Sequence, residues 1–158
     1  MNAYQRNLIS SIVRSIRKNR TSARKFDQKH VEWFVVAIAF GSEIVHTAKI
    51  GYVTPSDQDL AYMKLKAHNK LQVLFDNPSF ITSSQGRDPD RKIYGGAVRC
   101  LQSGVSVSVA AFSENMDTAM SSVALLENVM SFDHTQWLLV AEGNSNMREF
   151  GQISPAAQ

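Results

Sequence analysis

The run Trp33-Phe34-Val35-Val36-Ala37-Ile38-Ala39-Phe40 is the longest apolar stretch in the chain. Its residues are β-branched, aromatic or small, and its length is that of a strand. An unbroken apolar run, without alternation, is what a strand buried on both faces requires. The reading places this strand over His30–Phe40. Gly41-Ser42 can turn the chain, and Glu43 to Val53 then returns as a hairpin partner. On that partner Ile44, His46, Ala48 and Ile50 fall on one face. Val45, Thr47, Lys49 and Gly51 fall on the other, wetter one.

Working outward, a second pair of strands is expected at Ile93–Leu101 and Val105–Phe112, joined by Gln102-Ser103-Gly104. Val105, Val107, Val109 and Ala111 alternate with Ser106, Ser108, Ala110 and Phe112, at the period of a strand. Three helices flank these hairpins. In residues 4–18, Tyr4, Leu8, Ile9, Ile12, Val13 and Ile16 form one helical face. Residues 19–30 are polar and read as a loop or a frayed continuation. Thr54-Pro55-Ser56 starts the second helix, with Ser56 as cap and Asp59 three residues on. Its stripe is Leu60, Met63, Ala67, Leu71, Leu74 and Phe75, and Asn77-Pro78 ends it. Ser113 caps the third, which carries Met116, Ala119, Met120, Val123, Leu126, Val129 and Met130. The short run Trp137–Ala141 could form a last strand. The expected fold is therefore α+β, an antiparallel sheet built from two hairpins with helices packed on it. Residues 1–29 read as a basic helix and linker, 30–142 as a single domain and 143–158 as a loose tail. Residues 77–92 form the largest loop, of the kind that can lie over a site.

The chain has 158 residues, enough for one domain with a real core. Its net charge of +3 is unevenly spread. Residues 1–29 hold eight Lys and Arg against Asp27 alone, whereas the rest of the chain is acidic in balance. Three readings of the basic segment stand side by side. It is a helix packed by its apolar face with its basic face wet, or an arm meeting phosphate or an acidic partner, or an organelle transit peptide. No stretch approaches the length of a membrane span. With one cysteine and no secretory signal, a cytoplasmic location is the expectation.

Absent motifs exclude several enzyme classes. There is no Gly-x-x-x-x-Gly-Lys-Ser/Thr or Gly-x-Gly-x-x-Gly phosphate loop, no His-Glu-x-x-His and no Gly-x-Ser-x-Gly. A single cysteine, Cys100, cannot make an internal disulfide or supply the cysteine pair of a zinc deaminase. No metal site is expected from the four histidines, which share no ligand spacing. Gly95-Gly96, inside a strand-like run, marks either a bulge or backbone N–H groups facing a ligand. His46 is either a hydrogen-bonded core or interface residue or a metal or haem ligand. A third reading is a metabolic enzyme using His46 or His68 as its acid–base group. Lys64, Lys66 and Lys70 read as a solvated helix face, with Lys64 able to reach a carboxylate or phosphate at the sheet edge.

The order helix–hairpin–helix–loop–hairpin–helix resembles the haem-binding/glycolate-operon family of profilin-like domains, which also occurs beside some corrinoid adenosyltransferases. The helix Leu60-Ala61-Tyr62-Met63-Lys64-Leu65-Lys66-Ala67, running to Phe75-Asp76-Asn77-Pro78-Ser79, is similar to that family's Ala-x-x-Lys-Ala helix ending in Phe-x-x-Pro-Ser/Thr. Gly95-Gly96, Gly104, Ser113 and Asp117 follow its order of glycines, serine and aspartate over about residues 5–130. Glu114 stands where the family has glycine. The resemblance implies a haem- or corrinoid-type ligand in a pocket between sheet and loop, and assembly into a homo-oligomer. It assigns Lys64, Gly95, Gly96, Ser113 and Asp117 to that pocket.

Two functions from different classes follow. One is a small-ligand-binding protein, more a binder than an enzyme. The other is a structural or assembly protein, for instance a viral one, whose basic arm (Arg14, Arg17, Lys18, Arg20, Arg24, Lys25) contacts nucleic acid or a neighbouring subunit. Against the second stands the scarcity of aromatic residues in that segment, which has only Tyr4 and Phe26.

Overall fold

The computed structural model describes residues 1–26 and 31–142, with residues 24–26 described by their backbone alone. Lys29, His30, the tail from Gly143 and the side chains of Arg24 and Lys25 lie outside the described residues. The described elements are α1 (Ala3–Phe26), β1 (Trp33–Phe40), β2 (Glu43–Gly51), α2 (Asp57–Asp76), β3 (Ala97–Arg99), β4 (Val105–Ala110), α3 (Glu114–Asn128) and α4 (His134–Ala141). The four strands form one antiparallel sheet in the order β2-β1-β4-β3. This is the α+β arrangement of two hairpins with helices packed on the sheet.

The unbroken apolar run of β1 is explained by its central position. Phe34, Val36 and Ile38 face α1 and α3, together with Ile50, Val98, Val105, Val107 and Val109. Val35, Ala37 and Ala39 face α2, where they meet Ala67, Leu71 and Leu74. Both sheet faces are thus covered by helices. Phe34 is fully buried, with its ring centroid 5.3 Å from that of Phe112. Burying such a side chain is worth about 1.5–3 kcal/mol.

α1 belongs to the core. Leu8, Ile9, Ile12, Ile16 and Ala23 are buried, and the helix runs on through the polar residues to Phe26. A polar seam with α3 flanks this apolar contact. Glu127 accepts from Lys18 Nζ at 2.5 Å and from Asn19 Nδ2 at 2.8 Å, and Asn128 Nδ2 donates to Ser15 Oγ at 2.7 Å. The outward basic face with a packed apolar face is the first of the three readings of this segment.

Three local expectations are corrected. Trp137–Ala141 is helical, because Asp133 caps it by accepting from the Gln136 N–H at 3.1 Å. Trp137, Val140 and Ala141 then point inward at helical spacing while Leu138 and Leu139 are exposed. The strand expected over Ile93–Leu101 shrinks to Ala97–Arg99, because Gly96 at φ +132° leaves the extended conformation. In β2, His46 pairs with Ile38 but Ile44 pairs with Ala39, so Val45 is an extra, bulged residue. Ile44 therefore packs on the α2 side, opposite to Ala48 and Ile50.

Among the described residues, no helix is long and apolar enough to cross a membrane. One sheet edge is blunted: Arg99 N donates to Ile81 O at 2.7 Å and Thr82 bridges Val98 beside β3. The other edge, β2, is the outermost strand and runs for nine residues.

Candidate ligand site

The centre of the candidate site is a buried ion pair. Lys70, on α2, reaches the end of β4 and donates to the Val109 carbonyl at 2.8 Å and to Asp117 Oδ2 at 2.9 Å. Both side chains are almost wholly buried. Asp117 lies in the first turns of α3, which Ser113 caps by accepting from the Met116 N–H at 3.2 Å. The Asp117 carboxylate also accepts from the Phe112 N–H at 2.9 Å. Burial pushes the Asp117 carboxyl above its usual range, and the Lys70 ammonium and the backbone N–H groups pull against that shift.

The two glycines are explained by this pair. A Cβ on Gly96 would stand 2.6 Å from Lys70 Nζ and 2.9 Å from both Asp117 Cβ and the Val109 carbonyl oxygen. A Cβ on Gly95 would stand 2.3 Å from Ser84 Oγ. The Gly95 N–H is engaged by Glu114 Oε1 at 2.7 Å, and Glu114 also receives Arg87 Nε at 2.9 Å. Ser121 Oγ donates to the Gly96 carbonyl at 2.7 Å. Gly95-Gly96 thus precedes β3 and is approached closely by the chain's own groups, with the loop of residues 81–87 pinned over it.

Of the expected site residues, Gly95, Gly96, Ser113 and Asp117 converge at this corner. Lys64 and His46 do not. Lys64 sits one turn before His68, whose Nε2 is 2.8 Å from Thr47 Oγ1 of β2, so it lies on the far flank of α2. Partial burial and Lys64 hold the His68 imidazole below its ordinary value. His46 faces the α1 and α3 side of the sheet, across it from α2. Lys70 is corrected from solvated face to buried partner. The signal was present: Lys70 lies three residues after Ala67 and four before Leu74, on the helix's apolar stripe. Arg99 was also missed. It points to the α2 side and donates to the carbonyls of Leu74, Asn77 and Phe80 at 2.6–2.8 Å, closing the end of α2.

Outside the ion pair, α2 and the segment Arg91–Tyr94 enclose a groove of about 450 Å³. Lys70 lies at its base. Tyr62, Leu65, Val73, Ile93 and Tyr94 supply aromatic and aliphatic walls, and Lys66, Arg91 and Lys92 outnumber Asp76 at the rim. Its walls are helix and loop rather than sheet and loop. Lys92 adopts a left-handed conformation at φ +57°, an uncommon one for lysine, which turns the chain back into Ile93. The bonds between Asp88 and Ile93, both 2.9 Å, hold that turn. A volume of this size suits a small organic molecule, and the lining suits one with a flat apolar body and anionic groups.

Comparison with known proteins gives no match: no family model, no curated protein and no solved structure is recognisably similar to the chain. The groove must therefore be read from its own chemistry. Among the described residues, no group of three His, Cys, Asp or Glu is placed to hold a metal ion. Cys100 is buried, with its sulfur 3.1 Å from Ser131 Oγ.

Proposed function

We propose that the protein is a small-ligand-binding module whose groove takes a planar anionic molecule of the haem or corrinoid type. The observation that carries this reading is the pairing of Tyr62 and Tyr94 with a cationic rim over a rigid base. Ring faces pack on a macrocycle, and Lys66, Arg91 and Lys92 suit its carboxylates. The Lys70–Asp117 pair keeps the floor fixed, so little ordering accompanies binding. A tyrosine phenolate is a known axial group for haem iron, which makes Tyr62 and Tyr94 the candidates in place of His46. The expected homo-oligomer forms through β2, the long open sheet edge, because such an edge pairs readily with another copy.

Titration of the purified protein with haemin and with a cobalamin, read by absorbance, tests the groove. A saturable Soret shift that Arg91→Glu weakens and Tyr94→Ala or Tyr62→Ala alters in position supports it. No saturable change with either ligand, or equal binding by all variants, overturns it.

A further inference from the structure

The fold brings the basic helix, which is poor in aromatic residues of its own, against an aromatic partner from a distant segment. Arg17, Arg20 and Thr21 of α1 lie against Lys49, Ile50, Gly51 and Tyr52 at the end of β2, around a cavity of about 360 Å³. Among the described residues, no carboxylate lines it. The Arg20 guanidinium carbon sits 5.3 Å from the centroid of the Tyr52 ring, while that ring is 94% exposed. Lys49 Nζ is held at the rim by the carbonyls of Gly51 and Val53, at 3.0 and 2.8 Å. Lys18, the neighbouring cation, is engaged by Glu127 on the other flank of the helix.

What sets this corner apart is that the exposed ring stands beside three cations at once, Arg17, Arg20 and Lys49. A lone hydrated arginine gains little from such a ring, but the two together match a phosphate beside a flat base. We infer that this corner binds a nucleotide unit of a single strand, the phosphate between Arg17 and Arg20 and the base stacked on the Tyr52 face turned away from Arg20. Lys49 adds positive potential at the rim. The site lies apart from the groove over Lys70 and shares no residue with it, so it stands or falls independently of the haem-type reading.

The test is fluorescence anisotropy with a fluorescein-labelled oligodeoxythymidine, across a salt series, with unlabelled thymidine monophosphate as competitor. Affinity is expected to fall with salt. Arg17→Ala and Arg20→Ala should each lessen the log–log slope by about 0.7, the value for one single-strand phosphate contact. Tyr52→Leu should weaken binding about 5- to 100-fold with the slope unchanged, and Tyr52→Trp should restore it. Competition by the monophosphate at the oligonucleotide's own affinity would assign the site to free nucleotide; much weaker competition assigns it to a strand. Arg6→Ala, on the same helix but away from the cavity, and Lys66→Ala, in the groove, should change nothing. The inference is overturned if Tyr52→Leu binds like the parent protein, or if Arg6→Ala weakens binding as much as Arg17→Ala does.

Discussion

Among the described residues, two lysine–carboxylate pairs tie helices together, and they differ in almost everything except their chemistry. Lys70–Asp117 joins α2 to α3 past the end of the sheet, with side chains 6% and 3% exposed. Lys18–Glu127 joins α1 to α3 at the surface, with the lysine 62% exposed. Surface pairs in water contribute little, because solvent screens them and the long lysine loses freedom. A buried pair pays a large desolvation cost, and it persists only when every remaining hydrogen-bonding group is met. At the first pair the Val109 carbonyl takes a second Lys70 N–H and the Phe112 N–H meets the other Asp117 oxygen. The difference teaches that the inner pair fixes geometry, whereas the outer one decorates a contact already made by apolar residues.

The largest expected effect follows from removing one inner partner. Asp117→Ala should lower unfolding free energy by about 3–5 kcal/mol, since it leaves a buried ammonium uncompensated. The paired change Lys70→Met with Asp117→Asn should recover most of that loss in chemical denaturation. If the single variant costs no more than a surface change, the contrast between the pairs collapses. Next comes Gly96→Ala. A methyl group there meets Lys70 and Asp117, and the backbone sits at φ +132°, so a loss of about 2–4 kcal/mol is expected. The smallest is Lys18→Ala, at about 0.2–1 kcal/mol, fading as salt is raised from low to physiological ionic strength. Thermal melts at two salt concentrations measure it.

The legible parts of the fold are those with a strong period. The apolar run of β1, the alternation of β4 and the capped stripes of α2 and α3 give the sheet and its helices without reference to distant residues. The errors fall where a local pattern has two solutions. Trp137–Ala141 is too short for period alone to separate strand from helix, and the Asp133 cap is what tips it. The bulge at Val45 adds one residue to β2, which moves Ile44 to the opposite face. The candidate site was half legible. Gly95, Gly96, Ser113 and Asp117 do meet, but for the group that organises them, Lys70, charge suggests a wet face while its spacing from Ala67 and Leu74 puts it on the apolar stripe.

Amphipathic spacing, turn residues and caps are properties of short segments, so the α+β class and the identity of the central strand are written in the chain order itself. Which charges meet is a property of distant segments brought together. Lys70 finds Asp117 across 47 residues, and Arg20 finds Tyr52 only because α1 lies beside the end of β2. Burial then sets the strength of each contact, through the water it removes, and no linear pattern of residues records that quantity.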